Sequence, residues 1–426
     1  MMSPTRKPSA FPALVALIAL LSAGISLAPC AGAAAGDCGQ PKSAGDTPTA
    51  SDALEVLKTA VGSSSCGGRD SCICDVDSST SVTATDALRV LRKAVGQSVT
   101  LTCPCVVART TELTVLTKAK GSYSTADMKG TWNIETLVSG PSSPWWSRGT
   151  LTIQSNGDMA GSLTMNDGST ENISAKLAFA SNGTMTCTQN CQPNFQGALD
   201  SDKTVGGITA TEDDGSTQLL AVTKRAGSYA QSDLGGIWAM HSLVTGPRAP
   251  AWTRGTLTIG SNGSFTASFQ NSDGSPSGGS GTLTLSGTGQ ITCTGSDCPG
   301  DFGGALDSGK TVGAVTATEG DGSTQLILVC KQAASYSQSD LTGSWNLNSL
   351  ASGPDEPWWN RGTLTVAADG SLTGSLTDSN GAPQTVSGSS LSITAGGIIT
   401  ISDDPDARCE MDSGKTVVVC TTTWQP

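Results

Sequence analysis

One histidine, His241, stands in a chain of 426 residues, and aromatic residues make up only 4% of it. A lone histidine leaves little room for histidine-based catalysis, and no Gly-x-Ser-x-Gly elbow accompanies it. Basic residues are scarce too, with 24 Lys and Arg against 36 Asp and Glu and a net charge of −12. That balance argues against a nucleic-acid partner, because phosphate neutralisation needs clustered cations. Beyond the N-terminus no apolar stretch approaches the roughly 18 residues of a spanning helix, so no membrane span is expected.

What is abundant is glycine, 52 residues of it, with many Thr and Ser. This suits short strands joined by tight turns. The N-terminus reads as an export signal over residues 1–33: Arg6 and Lys7, an apolar run from Phe11 to Leu21, then Ala31-Gly32-Ala33. A secreted protein is expected, with the periplasm or cell surface left open. The 14 cysteines agree with an oxidising compartment. Short-range disulfides are expected for Cys187 with Cys191, Cys293 with Cys298, and Cys409 with Cys420. With Cys30 expected to leave in the export signal, six N-terminal ones (Cys38, Cys66, Cys72, Cys74, Cys103, Cys105) allow 15 connectivities, and Cys330 is left over.

Three long repeats organise residues 111–426, with copies at about 119–224, 225–331 and 332–426. Gly130-Thr131-Trp132 returns as Gly236-Ile237-Trp238 and Gly343-Ser344-Trp345. Each copy is itself double, with halves of about 53 residues and four strands punctuated by Asn-Gly and Asp-Gly turns. The third copy lacks its last strand, and a strand of that type, 111–118, stands unattached before the first copy. Exchange of this strand to the chain's end would bury an open edge. The parts fit a mainly β, six-bladed propeller built from three double-blade repeats. The alternative is three tandem eight-stranded barrels, because Asp233-Leu234-Gly235-Gly236-Ile237-Trp238 resembles the opening of lipocalin-like barrels.

Trp145, Trp146 and Arg148 recur as Trp252 with Arg254 and as Trp358, Trp359 with Arg361. Aromatic faces stack on sugars and on guanidinium groups. These residues are therefore ligand candidates for a polysaccharide, or alternatively packing between repeats. Two aspartate sets also recur, Asp127, Asp233, Asp340 and Asp200, Asp307, Asp412. Paired acids hydrolyse glycosides, but these lie in turn-like contexts.

Residues 38–105 hold a shorter duplication: Thr49 to Gly62 returns as Thr83 to Gly96. Leu54, Leu57, Val61 and Leu88, Leu91, Val95 recur at helical spacing and are expected to form buried faces. Ser51 or Thr85 is the expected cap, and Gly62 or Gly96 the stop. Before the second helix, Asp75, Asp77, Ser79, Ser81, Thr83 and Asp86 occupy positions 1, 3, 5, 7, 9 and 12 of a twelve-residue loop. Alternating oxygens of this kind suit a hard cation such as Ca2+. The first copy has Pro41, Ser43 and Gly45 in the leading positions, so one site is expected and not two.

With Ala-Leu-x-x-Leu after the loop, the pair resembles a type I dockerin, an EF-hand-like loop–helix module. The resemblance implies docking to a cohesin-like protein, often in polysaccharide-degrading assemblies. The expected function is thus a secreted, calcium-binding docking module joined to a β-repeat platform for polysaccharide or an extracellular protein. Two alternatives are a glycan-active hydrolase or lyase and a structural surface or matrix protein. The thin set of catalytic residues points away from an enzyme.

Overall fold

The computed structural model describes residues 38–43, 47–64, 66, 71–77, 79, 81–103, 110–141, 143–247, 249–353 and 356–424. The export-signal reading of 1–33, Gly45 and Cys105 lie outside the described residues, as does the side chain of Cys72. Residues 38–103 belong to one compact unit and 110–424 to another.

The larger unit corrects the propeller expectation. Its strands form three closed, eight-stranded antiparallel barrels. The first barrel runs through 130–224 and the second through 236–331. The third takes seven strands from 343–424 and its eighth from Thr110–Ala119. In the first two copies the Gly-x-Trp strand pairs back onto that copy's own final strand: Trp132 opposite Lys224 and Trp238 opposite Lys331. In the third barrel this partner is the early strand, with Lys118 opposite Trp345 and Thr114 opposite Cys420. Four-stranded halves are common to a blade and to half a barrel. What separates the two is which strand the first one pairs with, and here closure is internal to each barrel. The early strand fills the place that makes the third copy look one strand short.

Burial follows from closure. Strands far from the other barrels, such as Asp158–Met165, alternate exposed and covered residues, the signature of one wet face. Strands such as Thr217–Lys224 and Gly130–Ser139 are buried almost throughout, because their outer faces meet neighbouring barrels. Leu137 and Leu219 of the first barrel, Leu243 and Leu326 of the second, and Leu113 and Leu350 of the third share one central cluster. Cys330, the free cysteine among the described residues, is buried in it.

Each barrel is plugged at one end in the same way. Trp132, Trp238 and Trp345 donate their indole N–H to the carbonyls of Met128, Leu234 and Leu341, each at 2.7 Å. Lys224, Lys331 and Lys118 lie 5.2–5.5 Å from the ring centroids, within cation–π reach.

The smaller unit has two helices, Ala50–Ala60 and Ala84–Ala94. Thr49 and Thr83 cap them, not Ser51 and Thr85, each with the Asp three residues on completing a capping box. Gly62 and Gly96 follow the helices at φ +72° and +81°, the left-handed conformation that ends a helix at little cost for glycine. The expected buried stripe is corrected: Leu54, Leu57, Val61, Leu88, Leu91 and Val95 are all exposed. The core instead takes Ala53, Val56, Ala87 and Val90 with Ile73 and Val76. Disulfides Cys38–Cys103 and Cys66–Cys74 brace it.

Deleting residues 110–119 opens the third barrel at both flanking strands. Hydrogen exchange should then lose protection at Val417–Trp424 and Gly343–Ser352 while Gly130–Ser139 keeps it. Unchanged protection at Val417–Trp424 would contradict the closure described here.

Candidate functional site

The strongest candidate for a bound ion is the loop before the second helix. Carboxylate oxygens of Asp75, Asp77 and Asp86 all lie within 4.8 Å of one another. Oxygens about 2.3–2.6 Å from a common Ca2+ would sit this close, so the donor set fits a hard cation. The loop backbone is drawn inward by the same carboxylates: Ser79 N–H donates to Asp75 Oδ1 at 3.0 Å and to Asp77 Oδ1 at 3.2 Å. The Ser79 hydroxyl holds Asp77 below the usual carboxylate range, helped by Arg89 at 3.7 Å. Asp86 staples the loop to the helix, accepting from Val76 N–H at 2.9 Å and from Thr83 N–H and hydroxyl at 2.8 Å each. Of the six loop residues read from sequence, these three carboxylates come together. Ser79 and Ser81 are exposed, with the Ser79 hydroxyl donating to the Ser81 carbonyl at 3.1 Å.

In the first copy hydrogen bonds take over this work. Asp52 accepts from the N–H groups of Lys42 and Ser43 at 2.8 Å each, and from Thr49 N–H at 2.7 Å. Burial pushes its carboxyl up, yet the Ser43 and Thr49 donors prevail and bring it down to about 2.

The repeated Trp and Arg residues lie in the seams between barrels. Trp146, Trp252 and Trp359 are buried. Their indole N–H groups reach Thr318, Thr423 and Thr211 at 2.8, 2.6 and 3.0 Å, so the first barrel holds the second, the second the third, and the third the first. Arg148, Arg254 and Arg361 stack on these rings at 4.1–4.4 Å. The same guanidiniums donate across the seams, Arg148 to the carbonyls of Gly303 and Thr316, Arg254 to those of Asp406 and Thr421, and Arg361 to that of Asn194. Six of the eight ligand candidates are therefore committed to packing. Trp145 and Trp358 remain half-buried.

Other recurring polar residues are structural as well. Asp200, Asp307 and Asp412 are fully buried and accept backbone N–H bonds from the turns that follow them. Burial pushes Asp200 up to about 6 against donors from Val205, Thr204 and Thr416. His241, buried in a seam, bridges Thr421 at 3.0 Å and Glu410. Its counterpart Glu135 is raised well above the usual range by burial, with Arg148 opposing.

The barrel interiors, which the sequence reading did not single out, differ from one another. The first encloses a cavity of about 300 Å3, the second about 370 Å3 and the third about 80 Å3. In the third, Glu112, Trp424 and Asp404 occupy the lining, with Trp424 Nε1 donating to Glu112 at 2.9 Å. Cys187–Cys191 and Cys293–Cys298 staple loops beside the first and second cavities, and Cys409–Cys420 crosses two paired strands of the third barrel.

No family model matches the sequence, and no curated protein does. Among solved structures, a protein of unknown function of the DUF3598 family from Nostoc punctiforme aligns at 11% identity, over 70% of this chain and 95% of that one, with a TM-score of 0.17. Kievitone hydratase from Nectria haematococca aligns at 6% identity over 57% of this chain and 90% of its own, with a TM-score of 0.18. A transferrin binding protein B mutant from Haemophilus parasuis aligns at 9% over 72% and 76%, with a TM-score of 0.18. At such scores these likenesses carry no weight for function.

Two outcomes follow from the seams. Trp146→Ala should cost about 3–5 kcal/mol in denaturant unfolding, whereas a loss under about 1 kcal/mol would place this ring outside the packing. Asp200 has a raised folded value, so its contribution is complete below about pH 4 and is lost as pH rises towards 6. Asp200→Asn should flatten the fall in unfolding midpoint between pH 4 and 6, and an unchanged pH profile would remove Asp200 from that dependence.

Proposed function

We propose that this chain is an extracellular docking protein whose calcium-ordered, two-helix module presents an apolar face to a protein partner, with the three barrels as its platform. One observation carries the reading. Among the described residues seven large apolar side chains are exposed, and six of them (Leu54, Leu57, Val61, Leu88, Leu91 and Val95) sit on the two duplicated helices and their C-caps. Monomeric surfaces rarely concentrate apolar groups this way unless something covers them.

The duplication puts the same stripe on each helix, so the face is offered twice. The dockerin resemblance names a cohesin-like partner as the first to test. A cation bound by Asp75, Asp77 and Asp86 would supply charge neutralisation and hold the loop that positions the second helix. The five disulfides among the described residues suit an oxidising environment, which supports secretion. With Trp146, Trp252 and Trp359 taken up in seams, support for polysaccharide recognition through them is withdrawn. A protein partner is favoured, and no catalytic role is assigned.

Calcium at about 100 times its dissociation constant should stabilise the module by about 2.7 kcal/mol, read as a shift in its melting. Asp75→Ala should abolish the shift. Leu57→Glu with Leu91→Glu should leave the calcium response intact and remove association with cohesin-type modules. A parent protein indifferent to calcium, or a double variant that still associates, would overturn the corresponding half of the proposal.

A further inference from the structure

We propose that the cavity of the first barrel binds an organic cation with an apolar body, of the arylalkylamine class, with the amine at an acidic mouth and the ring inside. The docking module plays no part in this, and the inference stands or falls apart from it.

The cavity is closed at one end by Trp132 and walled by residues such as Ile134, Leu151, Leu177 and Leu220. At about 300 Å3 it is at the lower end of small-ligand pockets. Glu171, Glu212 and Asp213 also line it. Glu171 and Asp213 are exposed and Glu212 is half-buried, which puts these three acids at the open end. No ion pair to any of the three occurs among the described residues. Among the described residues Glu212 accepts from neutral side-chain amides, Gln192 at 2.7 Å and Gln218 at 3.0 Å. Burial, and then the neighbouring Asp214, Asp213 and Glu171, raise its carboxyl above the usual range. Negative potential is thus concentrated at the mouth of a low-dielectric cup, where a cation gains most.

Two further features point inward. Trp145 lines the cavity, half-buried, and no cation stacks on it among the described residues, although its neighbour Trp146 carries Arg148. Its π face is available to an ammonium group. Thr136, on the inner face of the Gly130–Ser139 strand, also lines the cavity. It is 2% exposed, and its hydroxyl has no hydrogen-bond partner. A buried hydroxyl left unmatched costs stability, and a ligand N–H or O–H would satisfy it.

The sister barrels act as internal controls. At the places of Trp145, Glu171 and Asp213 the second barrel has Ala251, Ser277 and Gly320, keeping only Glu319 in place of Glu212. Its cavity keeps the space and is lined by two acids, Glu319 and Asp297, the latter taken up by the Ser280 N–H at 2.9 Å, and it has no counterpart of Trp145. The third barrel is nearly filled.

The test titrates the full chain calorimetrically at pH 7 and low salt with 2-phenylethylamine, 2-phenylethanol and 3-phenylpropionate. One equivalent of the amine should bind roughly tenfold more tightly than the alcohol, and the carboxylate should not bind. Glu171→Gln with Asp213→Asn should bring the amine down to the alcohol's affinity, Trp145→Ala should weaken it several-fold, and Glu319→Gln should change nothing. The proposal is overturned if the amine fails to bind, if it has no advantage over the alcohol, if the mouth variants leave its affinity intact, or if Glu319→Gln removes it.

Discussion

An unpaired strand edge is the constraint on which this molecule turns. Every β-sheet with open ends exposes backbone N–H and C=O groups that invite further pairing. Here each of three sheets removes its edges by pairing its first strand with its own last. The third can do so only because Thr110–Ala119, the first strand among the described residues, runs antiparallel between Gly343–Ser352 and Val417–Trp424. That return joins the two ends of the barrel unit, so the third barrel forms only when the start of the unit meets its finish.

Closure also explains why the most repetitive residues are structural. A closed barrel has an outer face, and where three outer faces meet they must be apolar and interlocked. Trp146, Trp252 and Trp359 with their arginines are repeated because the seam is repeated. Chemistry specific to one site belongs where copies differ. Trp145 stands against Ala251, Glu135 against His241 and Asn348, and one barrel interior is acid-mouthed while another is filled.

Strand order, turn positions, the three short-range disulfides and the missing eighth strand are legible in the sequence, because Asn-Gly turns, cysteine spacing and the Thr-Lys strand ending are local. Closure is not. Alternation in Leu151-Thr152-Ile153 shows which face is wet, and says nothing of which distant strand Trp132 will lie beside. Hence a propeller and a set of barrels read alike until pairing is seen. The helices teach a similar point: period places Leu54, Leu57 and Val61 on a stripe, but only packing shows that the smaller Ala53 and Val56 face inward. In the loop before the second helix, spacing alone brings Asp75, Asp77 and Asp86 into one cluster. In the first copy Asp52 reaches a comparable closure by hydrogen bonds, which the absence of acids before it leaves room for. The cavities left no signal in spacing, since a barrel's interior volume depends on side chains from all eight strands.

The most direct test of internal closure is a cross-strand link that a propeller would forbid. Thr117 and Asn346 lie opposite each other in the third barrel, whereas in a ring of blades the strand carrying Thr117 would pair with the end of the chain and not with the Gly-x-Trp strand. Thr117→Cys with Asn346→Cys, oxidised and digested, should yield one new intramolecular disulfide joining those two peptides by mass spectrometry. Two thiols that stay separately open to alkylation, or that link only between molecules, would contradict the three-barrel account.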